Sequence, residues 1–200
     1  MKKVELTGPE TRGSISFEEA IKNRNSCRRF KREELKINQI SQLLWAAYGI
    51  RCTDTIQGIS LTVPSAGATY PMEIYLIEKR GVFRYLRESH DLEEVYAGDV
   101  RKKLARSALG QDAVEKAPVV FVIACVYRRI CGRYGERGIR YAYMEAGHIA
   151  QNILLEGVSL GLQGTPIGAF HEEDVKDSIR LPDDHDPLYI IPIGLPEEIR

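Results

Sequence analysis

The chain has 200 residues, 44% hydrophobic and 28% charged, and its 28 lysines and arginines balance 28 aspartates and glutamates. That composition predicts one soluble globular domain over residues 1–200, with enough apolar residues for a core. Zero net charge excludes the uniform basic field that drives nucleic-acid or anionic-membrane binding, and the longest apolar run, Val119 to Tyr127, falls far short of the ~20 residues that span a bilayer. The polar, basic N-terminus lacks an apolar signal core, so a cytoplasmic protein is expected. Cys27, Cys52, Cys125 and Cys131 show neither CxxC nor a Cys/His zinc spacing, and reduced thiols are expected.

In chain order, Ser16 opens a capping box with Glu19, and EEAIKNR should form a short helix ending near Asn25. Asn38 is expected to open a second amphipathic helix, with Ile40, Leu43, Leu44 and Ala47 on one face and Gly49 as its stop. MEIYLIEK after Pro71 has strand composition, and RGVFRYLRESHDLEEVY after a turn at Gly81 reads as more strand, pairing as a meander. Asp99 to Leu109 should be helical. VVFVIACVY after Pro118 is typical of a strand buried on both faces, the sheet's expected centre.

From Gly135 to Leu160 the pattern predicts one long helix, with Ile139, Tyr143, Ala146, Ala150, Ile153, Gly157 and Leu160 forming a stripe. Its small residues would let a helix of the same or a neighbouring subunit come close. HEEDVKDSIR predicts a short helix and DPLYIIPIGLP a closing strand. Without regular βαβ alternation, the fold class is α+β, a central mixed or antiparallel sheet flanked by helices.

Three stretches carry candidate chemistry. NRNSCRRF, residues 23–30, gathers Arg24, Asn25, Ser26, Arg28 and Arg29, donors suited to a phosphate, with a solvated loop pairing to Glu33 and Glu34 as the alternative. VPSAGATYP strips side-chain volume from Ser65 to Thr69 between two prolines, which would let a flat group rest on the backbone; the alternative is a tight turn entering a strand. GLQGTPIGAF, residues 161–170, is a Gly-rich connection whose amides could meet a ring nitrogen. Together these suit a planar heterocycle on a phosphorylated tail, which describes flavin mononucleotide, FMN. DDHD, residues 183–186, and His148 read as a solvated loop and a hydrogen-bonded helix residue rather than metal ligands.

The order RNSCRRF, PSAGATYPMEIYL, RYGERGIRYAYMEAGHIAQNILLEGVSLGL, PIGAF, PLYIIPIGLP resembles the nitroreductase-like flavoproteins, most closely their SagB-type, azoline-dehydrogenase-related branch, over residues 16–196. The resemblance implies a nitroreductase-like fold with a long central helix and an intertwined homodimer holding FMN at the subunit interface. It places Arg24, Asn25, Ser26 and Arg28 on the flavin phosphate, and Pro64, Ser65, Ala66 and Gly67, from the partner subunit, beside the ring. Pro166, Ile167 and Gly168 fall near flavin N5 and O4. It implies an oxidoreductase with ping-pong kinetics acting on a small-molecule substrate, with NADH or NADPH as a candidate electron donor. Tyr134 is the candidate aid to proton transfer. Arg133-Tyr134 stands where azoline dehydrogenases of the family carry Lys-Tyr, and arginine cannot act as a base near neutral pH. A non-catalytic FMN carrier and a dehydrogenase of modified peptides are the competing readings. No basic residue beyond the last strand is assigned to the phosphate; Arg200 is not given that role.

Overall fold

A computed structural model describes residues 2–54 and 58–197; Arg200 lies outside the described residues. Chain order is β1 (Lys3–Glu5), α1 (Phe17–Asn23), α2 (Ile37–Tyr48), β2 (Ile50–Asp54), β3 (Gly58–Leu61), β4 (Met72–Glu78), β5 (Gly81–Leu86), β6 (Asp91–Ala97), α3 (Arg101–Ser107), α4 (Asp112–Lys116), β7 (Val119–Cys125), α5 (Tyr127–Tyr134), α6 (Arg137–Ser159), β8 (Gln163–Gly164), α7 (Glu172–Ile179) and β9 (Asp186–Gly194). Seven strands form one sheet in the order β1-β6-β5-β4-β7-β9-β8, with every adjacent pair antiparallel. The expected meander is β4-β5-β6. A separate hairpin, β2-β3, was not anticipated.

The buried strand β7 explains the layering. Successive side chains leave a strand on opposite faces, and Val119, Phe121, Ile123 and Cys125 enter one core with α2 and α6. Val120, Val122 and Ala124 enter a second core with α3, α4 and α7. All seven β7 residues are buried, which is why the segment reads as a continuous apolar run rather than an alternating one.

Several boundaries differ from expectation. The apolar run continues through Tyr127, yet the ladder ends at the Met72–Cys125 pair, Val126 N–H donates to Pro71 O, and Tyr127 opens α5. Helix α1 ends at Asn23 instead of Asn25. Helix α2 starts at Ile37, because Gln39 Oε1 accepts from Lys36 N–H at 3.0 Å and makes Lys36 the cap in place of Asn38. Gly49 ends α2 by lack of bulk, not by a left-handed turn: its φ is −76°, and a Cβ there would stand 2.4 Å from Trp45 Cδ1. The Ser16–Glu19 capping box is present as expected.

The α6 stripe is half right. Ala146, Ala150, Ile153 and Gly157 are buried, but Ile139 and Tyr143 are 39% and 57% exposed. The inward positions of the first turns are Gly138, Ala142 and Glu145. Gly138 admits the Cys131 backbone of α5, 3.1 Å from where a Cβ would stand, so the close approach is to a helix of the same chain.

Candidate functional site

At the C-terminal end of α6, four segments converge. Past α1 the chain is extended at Arg24 and runs beside β8. Ser26 forms a parallel bridge with Gly164, Cys27 N–H donates to Gly164 O at 3.1 Å, and Gln163 Nε2 donates to Asn23 O at 3.1 Å. A Cβ on Gly164 would stand 2.7 Å from Pro192 O, so only glycine fits between β9 and this strand. Cys27 packs against the second core, while Asn25, Ser26, Arg28 and Arg29 are exposed and Arg24 is half-buried.

None of the three arginines forms an ion pair among the described residues; Glu34 instead meets Lys79 at 3.8 Å, and Glu33 pairs with nothing described. The loop thus carries guanidinium groups and a hydroxyl with no counter-ion among the described residues, the donor set that suits a phosphate.

Beyond β8, Ile167 pairs with Ile190 in both directions, at 2.8 and 3.0 Å. Its amide is therefore committed to the sheet, and Pro166 has none. Of the three residues expected to offer amides, Gly168 alone keeps an N–H that no main-chain carbonyl accepts among the described residues, and it is exposed.

Near the N-terminal end of α6 sits the second group. Ala66–Ala68 make one tight turn with Gly67 at φ 59°, and Ala68 and Tyr70 also take positive φ, 52° and 43°. Arg133 Nη1 donates to Gly67 O at 3.1 Å, and a Cβ on Gly67 would stand 2.5 Å from Tyr134 Oη. The small residue therefore admits the end of α5 on one side, a packing reason that sequence reasoning did not supply. Tyr134 is half-buried, edge-on to Tyr141 at 5.2 Å. Pro64 is exposed; Ser65 and Ala66 are half-buried.

Beneath this loop lies a residue that sequence reasoning missed. Glu145 of α6 is 2% exposed, and accepts from Tyr48 Oη and Ser65 Oγ, each at 2.6 Å. Burial pushes its pKa up, against which the two hydroxyl donors act. The available signal was a carboxylate three residues after Ala142 and four before Ile149, on the apolar face of the helix.

The two groups are separated along α6. From Glu145 to Ser159 the helix rises ~20 Å at 1.5 Å per residue. Elsewhere, His148 is exposed, His185 bonds Tyr75 Oη at 2.7 Å, and no group of His, Cys, Asp or Glu among the described residues could hold a metal. No helix among the described residues is long and apolar enough to cross a membrane.

The family model described as "Nitroreductase family" matches residues 21–195. The chain is 38% identical to "Putative nitroreductase MJ1384" of Methanocaldococcus jannaschii over 90% of this chain and 91% of that protein. It is 26% identical to the Microcin B17-processing protein McbC of Escherichia coli over 75% of this chain, but spans only 58% of McbC. Among solved structures, one from Ralstonia eutropha JMP134, described in the same terms as the first relative, aligns with a TM-score of 0.87 at 27% identity, covering 100% of this chain and 91% of that one.

Proposed function

Because the chain belongs to the nitroreductase family, a group of oxidoreductase type, we propose that it is an FMN-dependent oxidoreductase acting on a small organic substrate as a homodimer. The observation that carries this reading is the division of the site into two incomplete groups ~20 Å apart along α6. One holds guanidinium groups unpaired among the described residues, the other a shaped, nearly bare loop, and neither alone encloses a ligand with a ring and a phosphorylated tail. A second copy related by a two-fold axis, its α6 running antiparallel, would bring the Gly67 end of one chain to the Arg24 end of the other. Exposed apolar side chains suit that contact: Phe17 and Ile21 on α1, Ile139, Tyr143 and Met144 on α6. A cavity of about 430 Å³ between α1, α2 and α6, lined by Phe17, Trp45 and Leu155, lies on the same side.

The residues fit the cofactor. Arg24, Ser26 and Arg28 would hold its phosphate with charge-assisted donors. Gly168 would present its free amide to the ring, and Pro64 to Gly67 would form the wall beside it. When bound, FMN would supply two-electron chemistry, alternating between a donor such as NADH or NADPH and a second substrate. The protein would orient that ring and shield it from water on the loop side. Tyr134, against Gly67, would be the hydroxyl that assists proton movement, with the Arg133 guanidinium beside it.

A processing dehydrogenase acting on a modified peptide is the second reading, supported by the similarity to McbC. Arg133 opposes it, since that chemistry as implied by the resemblance uses a lysine base. The test is to purify the protein, record its visible spectrum, identify released cofactor, and measure its mass in solution. A yellow dimer reduced anaerobically by NADH or NADPH is expected. A colourless monomer that stays so in excess FMN overturns the proposal. Turnover of a peptide azoline, with no turnover of quinones or nitro compounds, would install the second reading.

A further inference from the structure

Glu145 is built into the loop more deeply than packing requires. The Ser65 hydroxyl oxygen already accepts from Tyr70 N–H at 3.0 Å, and the Tyr48 oxygen from Met72 N–H at 3.3 Å. Each hydroxyl hydrogen is therefore left to point at Glu145, at 2.6 Å in both cases. Both positions around the side chain need a pure acceptor, and a carboxylate is the side chain that offers one on each of its two atoms. Glutamine of the same shape would turn an NH2 toward one hydroxyl whose oxygen is already engaged. No lysine, arginine or histidine lies within ion-pair distance of Glu145 among the described residues.

What the carboxylate restrains is a strained segment whose own hydrogen bonds, apart from that of Tyr70 N–H to Ser65 Oγ, run only from Ala68 N–H to Ser65 O and from Thr69 to Ala66 O among the described residues. Gly67, Ala68 and Tyr70 all take positive φ, and two of them pay a steric cost for it. From these contacts we propose that Glu145 is a positioning residue that holds the Pro64–Tyr70 loop in the shape that receives the ring. The last phrase rests on the FMN reading above; the control of loop shape does not.

Charge and polarity around Glu145 come from several elements. Tyr48 on α2 and Ser65 on the loop donate to it. His148 on α6 and Arg87 from the β5–β6 turn favour its charged form, after the larger opposing effect of burial. Cys125 on β7 faces it with a thiol pushed up to about 12 and so stays neutral.

The test reads hydrogen exchange at the Tyr70 amide in flavin-free protein at pH 7, corrected for intrinsic rates, with FMN affinity measured in parallel. Glu145→Gln should lose protection at least tenfold, with unchanged β7 amides and about tenfold weaker FMN binding. Wild-type protection in Glu145→Gln overturns the proposal. Should β7 also loosen, Ser65→Ala read at the Ala68 and Thr69 amides decides, because it keeps the carboxylate and their main-chain acceptors, Ser65 O and Ala66 O: loss confined to the loop supports the proposal, and no loss overturns it. Loop loosening with unaltered FMN affinity removes the link to the ring. Loop loosening in a protein that binds no FMN in any form sinks the flavin reading and leaves the positioning role standing.

Discussion

The two ends of α6 are built on opposite terms. Near its N-terminus, almost every polar group is satisfied inside the chain: Glu145 by two hydroxyls, Ser65 by Glu145 and Tyr70 N–H, Gly67 O by Arg133. Past its C-terminus, among the described residues, Arg24, Arg28 and Arg29 have no carboxylate and Gly168 has no acceptor for its amide. On the proposed reading, the contrast teaches which part of a binding site can be finished without its ligand. A wall made of backbone can be preformed, because its strain is relieved by internal hydrogen bonds; an anion cradle must keep its donors open, because any internal acceptor would compete with the ligand.

The largest expected effect breaks the open end alone. Arg24→Ala combined with Arg28→Ala should weaken FMN binding by about 100-fold or more, from two charge-assisted contacts worth about 1.5–3 kcal/mol each. The unfolding free energy of the apo protein should change by less than ~0.5 kcal/mol, since neither side chain is paired among the described residues. Fluorescence titration and urea melts check both halves.

The closed end should respond the other way. Gly67→Ala places a methyl group 2.5 Å from Tyr134 Oη at positive φ, and should cost about 1–3 kcal/mol of stability in a urea melt before any ligand is added. A variant as stable as the wild type would show that the α5 contact with the loop is loose. Gly168→Pro separates the two terms at the open end, removing the free amide while sparing the guanidinium groups. About five- to tenfold weaker FMN binding is expected, and an unchanged titration would assign the ring's donor elsewhere.

The smallest effect lies away from both ends. Burial holds His90 and His185 below the ordinary histidine value of 6.5. Their unfolded forms therefore take up protons first as pH falls, so their contribution is present above about 6.5 and is lost as pH drops through the lower folded values. Neutral His90 bridges Tyr85 Oη at 2.7 Å and Thr7 O at 2.9 Å. Thermal melts should show stability declining from pH 7 toward 5.5, and His90→Gln should flatten part of that slope while leaving FMN affinity at pH 7 unchanged.

Much of this was legible in the sequence, and what was not has physical causes. The Ser16 capping box, the β4-β5-β6 meander, α6 and β7 are local patterns, so they could be read from spacing. The arginine cluster was legible as donors, but its lack of partners was not, because pairing with Glu33 and Glu34 is a question of distance that spacing leaves open. Helix α5 was hidden because the apolar run of β7 continues past the last ladder pair. Glu145 was hidden for a different reason: its partners, Tyr48 and Ser65, lie 97 and 80 residues away. The same holds for Ile167, whose amide is claimed by β9 and thus by the last strand to appear.

That late pairing bears on the order in which the molecule can be made. Asn23 is held by Gln163, 140 residues downstream, and the segment from Ser26 to Lys31 is shaped by β8 and by Leu195 and Pro196 just past β9. A nascent chain that has emerged through α5 already possesses its arginines but not the scaffold that aligns them, so the proposed anion cradle takes shape only once the C-terminal strands have formed beside it.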